Sequence, residues 1–206
     1  RAQRNKQLTE EQQNLWSMRI DEQETFFQRQ QQAEIEQLET ELSQLPALMP
    51  MDQLIVIRRI KQLPEKRLKS MAESFMVDPK IAPLVRSYLF ESLAKVGVVE
   101  KVRYLTIQDE IVELSPAHTG FDDTLENKIE TLLNDYLIDE DPILLANLLE
   151  QVKLEMAFLY PLQSSFMRPQ AWVDSYLAEY RGEAKKLDDA IEMLRSKIKQ
   201  LMFDYH

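Results

Sequence analysis

The 206-residue chain contains no cysteine, only three glycines and only two histidines. Each shortage removes a class of chemistry. Without cysteine there are no disulfides, thiolate metal sites or thiol nucleophiles, and the composition accords with a reducing, cytoplasmic setting. Gly97, Gly120 and Gly182 are far apart, so the clustered glycines that cradle phosphate in P-loop and Rossmann folds are missing. His118 and His206 leave little for a zinc site or a catalytic triad. No run approaches the ~18 uncharged apolar residues of a membrane-spanning helix. Even the stretch from Gln53 to Ile60 is broken by Arg58 and Arg59. No catalytic residue, metal or cofactor is expected. The opening at Arg1, followed by polar residues, points to a fragment of a longer protein with no signal peptide in view.

What is present describes a globular, mainly helical chain. Hydrophobic residues make up 44% and charged residues 29%, enough for one main core. The formal charge of −10 argues against non-specific nucleic-acid binding, which needs a basic surface. The charge is uneven. From Asp109 to Glu155 thirteen acidic residues face only Lys128 and Lys153. Between residues 58 and 69, Arg58, Arg59, Lys61, Lys66, Arg67 and Lys69 face only Glu65. That basic segment is either a solvated helical ridge or a docking surface, for an acidic partner or for the chain's own acidic half.

Thr9 with Gln12 forms a capping-box pattern, and the proline- and glycine-free stretch beyond it predicts a long helix from about residue 10 to 44. Ile35, Leu38, Leu42 and Leu45 make an apolar seam along its end. Trp16, Phe26 and Phe27, on its otherwise polar part, are a candidate interaction surface unless the arm buries them against the domain. Three short helices are then expected, starting at an N-cap Asp52, at Pro64 and at Asp78-Pro79, with Gly97 capping the third. Alternating β-branched and aromatic residues predict a hairpin near 98–115 that lies against the helices or pairs with another edge. Ala117 to Phe121 reads as loop. Helices should follow from Asp122 or Asp123, from Asp141-Pro142 and from Pro169, the last with Trp172, Tyr176 and Tyr180 facing inward. A final helix is expected from about Glu183 to Phe203. Its seam of Leu187, Ile191, Leu194, Ile198 and Leu201 is the most regular heptad pattern in the chain.

Isolated candidates for chemistry have plain alternatives. His118 has no second histidine beside it and reads as an incidental loop residue. Asp139, Glu140 and Asp141 lack the spacing and glycine of a calcium loop and read as a helix start.

Several short features recur in order: Leu54 to Leu63 before Pro64; Asp78-Pro79 leading to Leu84, Leu89 and Leu93; Gly97-Val98; Ile111 to Pro116; Asp141-Pro142; Leu159-Tyr160-Pro161; and Trp172 before Gly182. Together they span about two thirds of the chain, from Asp52 to Gly182. In this succession the chain resembles the C-terminal domain of unknown function of tetratricopeptide-repeat proteins of Gram-positive bacteria (Firmicutes). The resemblance implies HEAT-like stacked helical pairs attached to a repeat array, with no enzymatic activity and no site residue. The expected layout is an arm or linker over 1–46, a helical domain over 47–182 and an amphipathic helix over 183–206. The expected role is a protein-interaction or scaffold module for a protein partner. The alternative is a dimerisation domain in which the two terminal seams pair, within one chain or in a homodimer.

Overall fold

The computed structural model describes residues 10–119, 124–182 and 187–205, with the side chains of 10–17, 20, 21 and 124 excepted. Thr9, Gly120, Phe121, Asp122, Asp123, Glu183 and His206, which carried several of the expectations above, lie outside the described residues. The chain divides into two compact units, Arg1–Ser43 and Gln44–His206.

Among the described residues the first unit is a single helix, α1, spanning Glu10–Ser43. Good helix formers and the lack of proline and glycine account for its length. Side-chain bridges one turn apart reinforce it, Gln30 to Glu34 at 3.3 Å, Gln32 to Glu36 at 2.8 Å and Gln37 to Glu41 at 3.2 Å.

The second unit opens with a 3-10 helix at Leu45–Ala47. Helix α2 follows over Pro50–Ile57, prolonged by a second 3-10 helix over Arg58–Gln62. Asp52 lies inside the first turn of α2 instead of capping it, because Pro50 already occupies the first helical position and Met49 is the cap. Helix α3 covers Glu65–Phe75 behind Pro64, with Leu68, Ala72 and Phe75 buried. The expected helix start at Asp78-Pro79 is a turn instead. The Asp78 carboxylate accepts from the Lys80 backbone N–H at 2.8 Å, a side-chain turn that competes with helix formation. Helix α4 begins at Pro83 and runs to Lys95. It ends as expected at Gly97, whose φ of 77° is left-handed. Gly97 N–H reaches the Ala94 carbonyl at 3.0 Å and Val98 N–H reaches Leu93 at 3.1 Å, the paired bonds of a Schellman cap.

The hairpin pairs β1, Val102–Leu105, with β2, Ile111–Leu114, antiparallel, Val102 opposite Leu114 and Leu105 opposite Ile111. It lies against the helices, as a two-stranded sheet must. Leu105 N–H bonds the Met76 carbonyl at 2.9 Å, and the Tyr104 ring meets Phe90 edge-on at 5.6 Å. The Tyr104 hydroxyl donates to the Tyr160 carbonyl at 3.0 Å. Pro116–Thr119 forms a short helix, α5, where loop was expected.

The helices α6 (Thr124–Leu137), α7 (Pro142–Leu159), α8 (Pro169–Arg181) and α9 (Asp189–Phe203) complete the unit. The Asp141 carboxylate caps α7 through the Leu144 N–H at 2.9 Å. Ile129 and Leu133 of α6, Val152 and Met156 of α7, Trp172, Val173 and Tyr176 of α8, and Ile191, Leu194 and Ile198 of α9 share one buried cluster. Each large side chain so buried stabilises the fold by about 1.5–3 kcal/mol. Tyr180, expected to face inward, is exposed. It lies in the last turn of α8, just before Gly182 closes the helix. Helix α9 starts later than expected, because the Asp188 carboxylate caps it by accepting from Ala190 and Ile191, and Leu187 precedes the helix. Among the described residues the fold is mainly α-helical, nine helices with one two-stranded antiparallel sheet. No helix there is long and apolar enough to cross a membrane.

Candidate functional site

The basic segment lies on one stretch of the second unit. Arg58, Arg59 and Lys61 project from the 3-10 turn after α2, and Lys66 and Arg67 from α3, all exposed. Leu68, Ala72 and Phe75 take the buried stripe of α3, so its lysines and arginine fall on the wet side of an amphipathic helix. Two of the six cations have described contacts of their own. Lys61 sits 4.8 Å above the Tyr88 ring, and half-buried Lys69 pairs with Glu100 at 3.2 Å. That pairing, after a backbone hydrogen bond within Glu100 itself, holds the Glu100 carboxyl below its ordinary pKa.

The aromatic pair on α1 is exposed, Phe26 by 65% and Phe27 by 61%, with the rings edge-to-face at 6.2 Å. Trp16 belongs to the same helix, but its side chain lies outside the described ones. Ile35, Leu38 and Leu42 lie on α1 in the first unit, whereas Leu45 opens the second. Of the C-terminal seam, Ile191, Leu194 and Ile198 are consumed in the core of the second unit, with Leu201 packed at its margin. His118 is exposed on α5. Among the described residues no three histidine, aspartate or glutamate side chains come together to hold a metal ion.

Two arginines, neither singled out by sequence reasoning, are buried in the interior. The first is Arg195 of α9, 3% exposed beside a fully buried Glu155 of α7. Its Nε donates to Glu155 Oε2 at 3.0 Å and its Nη2 to Oε1 at 3.2 Å, a bidentate grip. The remaining groups are also satisfied. Nη1 donates to Ser175 Oγ at 2.5 Å, Nη2 reaches Glu179 at 2.9 Å, and Ser175 donates in turn to Glu192. Glu155 also accepts from the Tyr176 hydroxyl at 2.9 Å and from Gln151 at 2.8 Å. The guanidinium carbon lies 3.9 Å over the Tyr176 ring. Burial by itself lowers the Arg195 pKa, but the hydrogen bonds and charge of Glu155 outweigh it and leave the guanidinium above its usual value. This network ties α7, α8 and α9 together, and every member has a partner.

The second is Arg86 of α4, 4% exposed, with no carboxylate paired to it among the described residues. Its Nη1 donates to the Ile81 carbonyl at 2.8 Å and reaches the Asp78 carbonyl at 3.5 Å. Its Nε–H is buried without a hydrogen-bond partner. Burial lowers the Arg86 pKa, offset only in part by Tyr104, Tyr205, Asp109 and Asp78. Arg86 lines a cleft of about 260 Å³. The cleft is framed by the turn Pro79–Pro83, the start of α2, the end of β1 and the end of α9. Its apolar lining includes Leu48, Ile81, Leu105, Ile107 and Leu201. Lys197, also in the lining, pairs with Asp109 at 2.7 Å. Gln53, buried in the same wall, is satisfied by the Leu48 and Lys80 carbonyls and the Ala82 N–H.

Both arginines stood within reach of sequence reading. Leu148, Val152, Glu155 and Leu159 step by 4, 3 and 4 along α7, and Arg195 stands between Ile191 and Ile198. A charge on an apolar stripe is the signal of a buried partner. Arg86 likewise follows Leu84 and Val85 on α4. No family model, curated protein or solved structure matches the chain.

Proposed function

We propose that this chain is a protein-interaction or scaffold module without enzymatic activity, which docks an acidic protein partner on its basic segment from Arg58 to Lys69. The finer architecture proposed with it is the one the resemblance implies, HEAT-like stacked helical pairs of the kind found beside tetratricopeptide repeats in Gram-positive bacteria. The observation that carries the reading is the exposure of Arg58, Arg59, Lys66 and Arg67 on one short stretch of a chain whose net charge is −10. Local concentration of the minority charge favours an oppositely charged surface. The dimerisation alternative loses support at its C-terminal end, since Ile191, Leu194 and Ile198 are spent within their own core.

A fluorescent oligoglutamate peptide, titrated into the protein at low and moderate salt, tests the docking face. The triple reversal Arg58→Glu, Arg59→Glu and Arg67→Glu should weaken binding about tenfold or more, and salt should weaken the wild type. The control reverses the same number of charges at the exposed Lys128, Lys153 and Arg181. Equal losses in both variants would reduce the segment to a contributor to net charge and sink the assignment.

A further inference from the structure

The two buried arginines differ in one respect that bears on a ligand. In Arg195 the edge of the guanidinium formed by Nε and Nη2 carries the Glu155 carboxylate, at 3.0 and 3.2 Å. In Arg86 the hydrogen bonds come from Nη1 and go to backbone carbonyls, while Nε–H has no partner. A guanidinium keeps its charge when buried, and its planar fork matches a carboxylate bidentately. Leaving such a group without an acid is costly, since a buried unpaired charge is among the most expensive arrangements in a fold. The nearby acids relieve it only in part. Asp78 offers its backbone carbonyl and uses its carboxylate on the Lys80 N–H, and the Asp109 carboxylate is held by Lys197.

The surroundings of Arg86 narrow the class of ligand. At about 260 Å³ the cleft falls below the range of about 300–1,000 Å³ that suits drug-sized ligands. Leucines and isoleucines line it with three prolines, Pro50, Pro79 and Pro83. A small apolar body bearing one acidic group matches such a lining. A multiply charged phosphate ester would place further charge beside Asp109 and Asp204, which also line the cleft.

We propose that the cleft is a binding site for a carboxylate on a small branched or otherwise apolar body, paired with the Arg86 guanidinium. The carboxylate belongs to a free short-chain acid or to the C-terminus of a peptide, and the recognition chemistry is the same for both. This site is separate from the basic segment and does not depend on the docking role assigned there.

The test is a titration of the full chain, followed by heteronuclear NMR, with isovalerate, its neutral amide isovaleramide, and a leucine-terminated tetrapeptide with free or amidated C-terminus. Saturable binding of isovalerate about tenfold or more tighter than the amide, with shifts at Leu105, Ile107 and Leu201, supports the site and a free acid as its ligand. Binding of the free-carboxylate peptide alone, with the amidated peptide silent, supports the site and a chain terminus. Arg86→Lys, which keeps the charge and loses the fork, should cost about tenfold with whichever ligand binds. The acid-versus-amide comparison on the wild-type protein needs no variant, so a misfolded substitution leaves the question answerable. Absence of binding by either acid, equal binding of acid and amide, or shifts elsewhere on the protein would overturn the proposal.

Discussion

The interior of the second unit holds the charged residues Arg86, Glu155 and Arg195, of a kind that ordinarily belongs on a surface. Glu155 and Arg195 are 40 positions apart in the chain and meet with both carboxylate oxygens engaged. Pairing of this kind repays its desolvation only because every other donor and acceptor is also satisfied. Arg195→Leu should therefore destabilise the protein by about 3–5 kcal/mol, since it strands the Glu155 carboxylate. The double replacement Glu155→Leu with Arg195→Leu should recover much of that loss. A double-mutant cycle from urea unfolding measures the coupling, and strictly additive effects would show that the two charges do not depend on each other. The rhythm of α7 put a glutamate on an apolar stripe in plain view, so that a buried charge there was legible. Its partner was not, because a stripe records which face is buried and nothing about what it meets.

At the scale of elements, local signals carried well wherever they were self-contained. Gly97 ends α4 because a left-handed residue at that position completes two backbone hydrogen bonds, and both ends of the bonds lie within six residues. Pro50, Pro83, Pro142 and Pro169 open their helices for an equally local reason. Asp78-Pro79 misleads because aspartate caps a helix and a turn by the same side-chain acceptor, and here Pro83, four residues beyond Pro79, takes the helix start. Helix α9 shows how far its heptad pattern can be trusted. Ile191, Leu194 and Ile198 are buried, yet Leu201 is only partly so, Leu187 falls outside the helix and Arg195 takes a place on the buried face. Leu194→Ala, emptying a site packed in the core, should cost about 2–5 kcal/mol. Met193→Lys, one residue away on a side chain 75% exposed, should change stability by no more than about 0.5 kcal/mol. Thermal melts of the two variants make the comparison, and similar losses would show that the faces of α9 are misassigned.

Across the whole molecule, ionisation links the buried hydroxyls to stability. Burial raises Tyr104 and Tyr205 from 10.0 to about 12, and it pushes Tyr160 and Tyr176 in the same direction. Each phenol with a raised pKa remains protonated in the folded chain at a pH where the unfolded chain has released its proton. Stability from these groups is therefore complete below pH 10 and falls as the pH rises towards 12. The fully buried Tyr104 adds a slope of about 1.4 kcal/mol per pH unit across that window. Urea midpoints taken from neutral pH upward should fall beyond pH 10, with phenolate absorbance rising at the unfolding transition. Unchanged midpoints through that interval would show that the tyrosines ionise in the native state. Glu179 acts oppositely. Burial raises its pKa, but the Lys199 hydrogen bond and the Arg195 charge outweigh it and lower it overall, so its share of stability is lost as the pH falls.

By itself, the amino-acid sequence determined the helical class, the single hairpin, most helix ends and the segregation of charge, because each follows from residues within a few turns of one another. The exposed segment from Arg58 to Arg67 was equally legible, since five cations in ten residues cannot all be buried. Only the tertiary structure decided what the buried charges meet. Arg86 and Arg195 are chemically identical side chains on helices of the same unit. One is matched to Glu155 by the packing of α7 against α9, while the other is left facing carbonyls and a cleft assembled from four separate stretches of chain. That difference arises from contacts between distant segments, and the free energy of a buried charge depends on those contacts rather than on its neighbours in the chain.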